Sequence, residues 1–177
     1  MDFMEGVLES YGDRVLKLCY IILKDLHAAQ DLTQEVFIQV YKSRSKFREE
    51  SSLYTWIYKI AINKCRTYAK RHSRMVYFDS EEINLLVDND FSEEELSLEE
   101  SVVRSISSAK IKDIITGIKP IYREVILLYY FEDLSIKDIA EVLEEKESTI
   151  KSKLFRAREL LKQEFIKEGI ANEAEGF

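Results

Sequence analysis

The sequence predicts an all-α protein, made of two small helical domains joined by an acidic linker. Only five glycines and one proline occur among the 177 residues, which is too few for the many turns of a β sandwich or barrel. Apolar residues recur at three- and four-residue spacing through long stretches, which is the period of amphipathic helices. With 46% hydrophobic and 33% charged residues, the chain has the composition of a globular protein.

Three helices are predicted in the N-terminal half, over 4–23, 26–43 and 53–71. Asp25 is a suitable N-cap for the second helix, and Ser51 or Ser52 is suitable for the third. The inner face of the second helix is predicted to be Ala28, Leu32, Val36 and Val40. On the third helix, one apolar face is predicted to hold Leu53, Trp56, Ile57, Ile60, Ala61 and Tyr68. Trp56 is therefore expected in the core rather than as a stacking platform.

Helical periodicity resumes near residue 109 and predicts further helices over 121–130, 136–143 and from about 148 to 167. Pro120 fits the first turn of the helix over 121–130. Ser135 and Asp138 form a capping-box pattern, and Ser148 is predicted as the N-cap of the last helix. Gly169 is predicted to end that helix in a left-handed conformation.

The last two predicted helices form a helix-turn-helix pattern, in which a short helix and a tight turn precede a longer basic helix. Ile150, Leu154, Ala157 and Leu161 give the longer helix a buried stripe. Phe155 is predicted on the opposite face, among basic and hydroxyl side chains, where an aromatic ring fits contact with thymine methyl groups in a major groove. The alternative is that Phe155 packs against a neighbouring domain.

The charge is divided into blocks that the net value of −7 conceals. Residues 41–74 carry ten basic and two acidic side chains, whereas residues 75–108 carry one basic and ten acidic ones. A second basic patch follows on the last helix, at Lys151, Lys153, Arg156, Arg158 and Lys162. Because phosphate attraction is screened beyond roughly 8–10 Å at physiological salt, such local blocks matter more than the total. Two nucleic-acid-binding surfaces are therefore predicted.

Several classes of function are disfavoured. The longest apolar runs are far shorter than the ~20 residues that span a bilayer, and the N-terminus lacks the pattern of a secretion signal. Cys19 and Cys65 are too few for a disulfide framework, and with two distant histidines, His27 and His72, they give no zinc-site spacing. Both cysteines are expected to be buried, inert thiols. We expect a cytoplasmic protein that is not inserted in a membrane and has no catalytic residues, metal site or cofactor.

Three motifs in register resemble the sigma-70 family of RNA polymerase sigma factors, specifically the extracytoplasmic-function (ECF) group. They are AQDLTQEVF at 29–37, SLYTWIYKIAIN at 52–63, and LSIKDIA at 134–140 together with STIKSKLFRAR at 148–158. The resemblance implies a sigma-2-like domain over 1–74, a linker over 75–107, a sigma-4-like helix-turn-helix domain over 108–169, and a tail over 170–177. It also implies a non-enzymatic protein that binds RNA polymerase core and directs promoter recognition, DNA opening and transcription initiation.

The resemblance assigns partners to the N-terminal half. Asp31, Gln34 and Glu35 are expected to contact the coiled coil of the polymerase β′ subunit, and helical geometry places all three on one face. The β subunit is expected as a further partner. The resemblance implies that the promoter −10 element is bound as a single strand by two parts of this domain. One is the loop with Arg44 and Lys46, and the other is one face of the third helix, formed by Lys59, Asn63, Arg66 and Lys70. Asn63 is expected to read a base edge, since it both donates and accepts hydrogen bonds, and the basic residues are expected to hold phosphates.

The last helix is expected to read the duplex −35 element in the major groove, through Lys151, Ser152, Phe155 and Arg156. Three positions depart from the family pattern. Glu144 stands where the family usually has glycine, so it either adopts a left-handed conformation, at about 1 kcal/mol, or reshapes the turn. Asp133 replaces a frequent glycine, and Tyr129 replaces a frequent arginine that touches DNA.

Two further hypotheses concern regulation, and two rival functions remain open. An anti-sigma factor is an expected partner, and the acidic linker is hypothesised to cover the basic faces of the free protein. A stand-alone helix-turn-helix regulator would explain the C-terminal half equally well, though not Asn63 on a basic face or the acidic motif at 31–35. A helical adaptor without a DNA partner is the other alternative.

Overall fold

A computed structural model of the chain describes residues 3–47, 52–72 and 109–170. The predicted linker, residues 48–51 of the basic loop and the tail from 171 onward lie outside this part. The described helices are α1 (Phe3–Leu23), α2 (Leu26–Ser43), a 3-10 turn (Arg44–Lys46), α3 (Leu53–Arg71), α4 (Ala109–Gly117), α5 (Pro120–Ile126) continuing into a π-helical turn (Leu127–Phe131), α6 (Ile136–Leu143) and α7 (Glu147–Lys167). The all-α prediction is confirmed.

The N-terminal helices, α1 to α3, pack on one another around a shared apolar core. The Asp25 carboxylate accepts from the backbone N–H of Ala28, and the Ser52 hydroxyl accepts from that of Thr55, so Ser52 and not Ser51 caps α3. The predicted inner face of α2 is fully confirmed, since all four of its residues are buried. These caps satisfy amide donors that a helix N-terminus leaves unpaired, and thereby fix where each helix begins.

The buried face of α3 is wider than the predicted one. Ile57 and Ala61 are buried as predicted, but the other four predicted residues are only partly buried, and Trp56 stacks on Phe47 with ring centroids 5.0 Å apart. Several buried residues were not on the predicted face, namely Thr55, Tyr58, Ile62, Cys65 and Ala69. The periodicity therefore located only part of the buried surface of α3, which packs on α1, α2 and α6.

The C-terminal helices, α4 to α7, include the helix-turn-helix pair α6 and α7. Ser135 caps α6 by accepting from the backbone N–H of Asp138, as predicted, and its hydroxyl also bonds to the Asp138 carboxylate. Gly169, with φ of 66°, follows α7, and the N–H of Ile170 bonds the carbonyl of Phe165 in the pattern of a left-handed helix cap. The predicted buried stripe of α7 is confirmed.

The turn between α6 and α7 shows the conformation of Glu144 and differs from the prediction for the N-cap of α7. Glu144 adopts the left-handed conformation, with φ of 58° and ψ of 43°, as does Asp133, with φ of 52°. The prediction of Ser148 as N-cap was wrong, because α7 begins at Glu147 with Lys146 in extended conformation at the cap position. Only Glu145 and Lys146 lie between Glu144 and the start of α7, so Ser148 is the second residue of the helix.

The N-terminal and C-terminal helices pack directly against each other, chiefly α3 on α6 and α1 on α4 and α5. Arg123 of α5 is buried and joins the two halves. Its guanidinium donates to the carbonyls of Ile22 (3.0 Å) and Ile21 (3.4 Å) at the end of α1, and also to the carbonyls of Ile115, Thr116 and Ile118. The two predicted domains are therefore in direct contact in this structure, a contact that the sequence did not predict.

Candidate nucleic-acid interface

The predicted −10 residues of α3 lie along one face of the helix. Asn63 and Lys70 are exposed, whereas Lys59 and Arg66 are partly buried. The spacing of four, three and four residues puts them on adjacent turns, as the sequence predicted. We call Lys59, Asn63, Arg66 and Lys70 the basic face of α3.

Two members of the basic face are engaged by acids from the C-terminal helices. Arg66 binds Glu124 through two hydrogen bonds, Nε to Oε1 at 3.1 Å and Nη2 to Oε2 at 2.6 Å, and its Nη1 lies 3.5 Å from the carbonyl oxygen of Leu143. The Glu124 side chain is 0% exposed. Lys59 Nζ lies 2.9 Å from Oε1 of Glu144. In this arrangement of the helices, the two cations that were predicted to hold phosphates are therefore paired with acidic side chains.

The loop after α2 contributes Arg44 and Lys46, the two predicted loop contacts. Arg44 is exposed, and its guanidinium carbon lies 5.6 Å from the ring centroid of Tyr41. The backbone of Lys46 ends the 3-10 turn. Both residues precede the Phe47–Trp56 stack, which ties the described ends of the loop together.

The predicted polymerase-binding residues Asp31, Gln34 and Glu35 are all exposed on α2. Glu35 forms an ion pair with Lys64 of α3, with Nζ and Oε2 2.8 Å apart. On the same helix, two large side chains are exposed, Ile38 at 52% and Tyr41 at 57%. Sequence reasoning missed these two residues, although Ile38 lies four residues after Gln34 and three after Glu35, which puts it on the same face of the helix.

The predicted −35 residues lie together in the first half of α7. Arg156 is exposed, and Lys151, Ser152 and Phe155 are partly exposed, so the predicted outward face is present. The Ser152 hydroxyl donates to the carbonyl of Ser148 in its own helix. Arg156 also lines an open groove between α4 and α7.

One basic residue does not belong to the patch on α7. Lys153 is buried, and its Nζ lies 2.6 Å from Oε2 of Glu145. The Lys153 ammonium group therefore pairs with the turn before α7 and does not contribute to the exposed basic patch. Tyr129, the departure from a family arginine, is half-buried and meets the ring of Tyr130 edge-to-face at 4.9 Å.

A buried polar cluster that the sequence did not predict lies where α5 ends. Glu132 Oε2 accepts from Nε of Arg14 at 2.9 Å and from the hydroxyl of Tyr58, and the hydroxyl of Tyr54 lies 3.1 Å from the same oxygen. Burial raises the pKa of Glu132 above its usual value, while these donors act in the opposite direction. Burial and the neighbouring Glu132 charge also raise the pKa of Tyr58. Only the folded chain brings these residues together, from positions up to 118 apart.

Within residues 3–47, 52–72 and 109–170, no three potential metal ligands cluster. Among the same residues, no helix has both the length and the apolar character to cross a membrane.

Two family models match the chain. Residues 7–75 match Sigma-70 region 2, and residues 108–161 match Sigma-70, region 4. The first match contains α3 and most of α1, and the second contains the helix-turn-helix pair. The two predicted DNA-binding surfaces therefore lie in separate matched regions.

Whole-length relatives agree. The chain is 30% identical to ECF RNA polymerase sigma factor SigW of Bacillus subtilis over 166 residues, which covers 92% of this chain and 89% of that protein. It is also 30% identical to RNA polymerase sigma-H factor of Pseudomonas aeruginosa, covering 85% and 80% of the two chains. Its fold is similar to the sigma factor RpoE in complex with the anti-sigma factor NepR from Bartonella quintana, with a TM-score of 0.68 at 20% identity and coverage of 92% and 96%. The chain belongs to the ECF group of RNA polymerase sigma factors, the proteins that bind RNA polymerase core and direct it to promoters.

Proposed function

We propose that this sigma factor divides its contacts among three surfaces, with α2 on polymerase, α3 on the −10 element and α7 on the −35 element. The observation that carries this assignment is the grouping of the predicted residues. The predicted residues of each helix lie on one face, and each face carries charges suited to its proposed partner. The domain limits that go with it are 1–74, 75–107 and 108–169, with a tail over 170–177.

On α2, we assign Asp31, Gln34 and Glu35 to the β′ coiled coil, and the β subunit is the other core partner. The exposed Ile38 and Tyr41 extend this face with apolar area. Interfaces combine an apolar centre with a polar rim, and this patch has both. Carboxylates at its edge favour a basic partner surface.

On α3, opening of the −10 element would come from tighter binding to the exposed single strand than to the duplex. Such binding needs phosphate contacts along the strand and a group that recognises an unstacked base. Lys59, Arg66 and Lys70 supply the cations, together with Arg44 and Lys46 of the loop. Asn63, exposed in their midst, reads a base edge.

On α7, Lys151, Ser152, Phe155 and Arg156 enter the major groove of the −35 duplex. Arg156 can bind a guanine through two hydrogen bonds, a pairing worth roughly 1–3 kcal/mol of discrimination against another base. Phe155 supplies apolar contact with thymine methyl groups. An anti-sigma factor is the proposed regulatory partner, and the cytoplasm the proposed location. No observation favours a stand-alone regulator, since a Sigma-70 region 2 match accounts for the N-terminal half.

The test compares Arg156→Ala with Asn63→Ala on a promoter that the chain transcribes with purified core polymerase. Arg156→Ala should weaken promoter binding in a gel shift by about 5–150-fold, which is the range of 1–3 kcal/mol for such a contact. Asn63→Ala should leave binding nearly unchanged and reduce permanganate reactivity of unpaired −10 thymines. Matched controls are Gln163→Ala on α7 and Thr67→Ala on α3, both at exposed positions. Wild-type behaviour of both test variants would show that the surfaces are wrongly assigned.

A further inference from the structure

A pair of aromatic rings attaches the loop after α2 to the first turn of α3. Phe47, directly after the 3-10 turn, lies against Trp56, with ring centroids 5.0 Å apart and ring planes inclined at 32°. This separation is within the range of about 4.5–7 Å that aromatic pairs prefer. Trp56 in turn packs against the apolar core. Phe47 therefore reaches the core through the indole of Trp56.

The backbone on both sides of this stack is hydrogen-bonded. The N–H of Phe47 bonds the carbonyl of Arg44 at 3.1 Å, which closes the 3-10 turn. Ser52 caps α3 through the N–H of Thr55, and the N–H of Trp56 bonds the carbonyl of Ser52 at 3.1 Å. Loss of one ring would therefore release the 3-10 turn from α3 and leave the backbone bonds of each segment intact.

Trp56 extends the basic face of α3 by one helical turn. The row from Trp56 to Lys70 has successive spacings of three, four, three and four residues. Trp56 lies seven residues before Asn63, which is nearly two turns, or about 10.5 Å along the helix axis. Arg44, which is exposed, lies one 3-10 turn before Phe47. The stack therefore holds a loop cation at the N-terminal end of the row that contains Asn63.

The position of such a cation affects base selection more than total affinity. Phosphate contacts carry no sequence information, but they fix the register of a strand on the protein. A cation at a fixed place relative to Asn63 presents one base to its amide group. A cation that moves allows the strand to shift by a nucleotide, about 3.4 Å in a stacked strand, and to present a neighbouring base. The attraction to phosphate survives this movement, because it acts over several ångströms.

We propose that the stack of Phe47 on Trp56 sets the register of the −10 single strand by fixing Arg44 relative to Asn63. Phe47 and Trp56 are then positioning residues, which determine where the strand lies and do not themselves read a base. This inference rests on the proposed function, because it takes the loop and α3 as the −10 surface. It gives Trp56 a role in promoter selectivity that a residue of the core alone would not have.

The first measurement tests the stack in the full-length protein. Trp56 is the only tryptophan of the chain, so tryptophan fluorescence reports on its surroundings alone. Phe47→Ala removes the facing ring, Phe47→Tyr retains it, and Phe3→Ala removes an exposed ring of α1 as the matched control. We expect only Phe47→Ala to shift the emission to longer wavelength, because water then reaches the indole. An unshifted emission would show that the rings are not stacked in solution and would overturn the proposal.

The second measurement tests base selection by each variant in complex with purified core polymerase. The probes are a fluorescein-labelled single strand with the −10 element of a promoter that the chain transcribes, and the same strand with its −10 bases permuted. We expect Phe47→Ala to lower the ratio of the two affinities at least about threefold, which one aromatic pair can supply. Affinity for the permuted strand should change by less than about twofold, because phosphate contacts do not depend on sequence.

The conservative variant and the control decide between positioning and a general structural effect. Phe47→Tyr and Phe3→Ala should both keep the wild-type ratio of affinities. Trp56→Leu should lower the ratio as Phe47→Ala does, whereas Trp56→Phe should keep it. Because Trp56 also packs on the core, circular dichroism must show that its variants retain their helices, and the Phe47 variants decide where they do not. An unchanged ratio in Phe47→Ala, or an equal loss of both affinities, would overturn the proposal.

Asn63→Ala separates failure of this proposal from failure of the −10 assignment. If Asn63→Ala lowers the ratio and Phe47→Ala does not, the −10 assignment stands and the role of the stack is refuted. If Asn63→Ala keeps the wild-type ratio, the −10 assignment fails, and this proposal fails with it. Loss of selectivity in both variants, with Phe47→Tyr unaffected, is the result that we expect.

Discussion

Lys59 and Glu144 form an ion pair across the two halves of the protein, with Nζ and Oε1 2.9 Å apart, and the acid has a left-handed backbone. The strained residue of the helix-turn-helix turn is therefore also the one that contacts the basic face of α3. A glycine there would relieve the strain and remove the contact.

The Glu144→Gly variant should be more stable than the Glu144→Ala variant. Glu144→Ala keeps a side chain in the left-handed region and loses the ion pair, whereas Glu144→Gly loses the pair and the strain. We expect the free energy of unfolding of the glycine variant to exceed that of the alanine variant by about 1 kcal/mol, measured by urea denaturation. Equal stabilities would mean that Glu144 does not have the left-handed conformation in solution.

Arg123 should be among the most destabilising positions to change on the C-terminal helices. Its guanidinium donates to five backbone carbonyls, two of them at the end of α1, and Arg123→Met leaves these carbonyls without their donor. We expect a loss of about 3 kcal/mol or more in the free energy of unfolding. Arg71→Met, at an exposed residue near the end of α3, is the control and should stay within about 0.5 kcal/mol of wild type. If both variants lost a similar amount of stability, the hydrogen bonds of Arg123 would not explain the loss.

Stability should depend on pH through Glu132. Burial raises its pKa in the folded protein, so folding favours the protonated form. This contribution is fully present below the usual glutamate pKa of about 4.3 and is lost as the pH rises through the raised value. Relative to Glu132→Gln, which does not titrate, wild type should therefore lose stability as the pH rises across this window.

The measurement is urea denaturation of both proteins from pH 4 to pH 7. The groups that face Glu132 are Arg14, Tyr54 and Tyr58, and these stay protonated throughout the range because their usual pKa values lie at about 10 or above. A difference between wild type and variant that is constant or grows with pH would contradict a raised pKa.

The two cysteines should be inaccessible in the native protein. Cys19 of α1 and Cys65 of α3 are both buried, with their sulfur atoms 3.5 Å apart, as the prediction of buried thiols implies. Their hydrogen bond raises the pKa of Cys65, and burial raises it further. We expect a thiol-reactive disulfide dye at pH 7 to label both residues at least about tenfold more slowly than in urea-unfolded protein, since labelling requires opening. Fast native labelling would contradict the packing of α1 on α3.

The sequence was informative where a single residue determines local geometry. Asp25, Ser52 and Ser135 cap helices as their chemistry requires, and the buried stripe of α7 follows from spacing alone. Contacts between distant segments could not be predicted in this way. Nothing near Glu132 in sequence indicates Arg14 or Tyr58, which reach it only through packing of α1 and α3 on the C-terminal helices.

The candidate site shows the same division. Spacing placed the basic face on one side of α3, and the motifs predicted the family that the comparisons show. The sequence did not reveal that Arg66 and Lys59 are paired with acids, because charge counting along the chain assigned the masking role to the nearest acidic stretch. Lys153 was counted in the α7 patch for the same reason, although it is buried against Glu145.

The central claim is that this chain directs RNA polymerase to promoters through α3 and α7. The most direct test transcribes genomic DNA of the source organism with purified core polymerase, with and without the chain, and sequences the 5′ ends. We predict a small set of start sites that appears only with the chain, shares −10 and −35 sequences, and disappears with Arg156→Ala and Asn63→Ala combined. Start sites identical to those of core polymerase alone would contradict the claim.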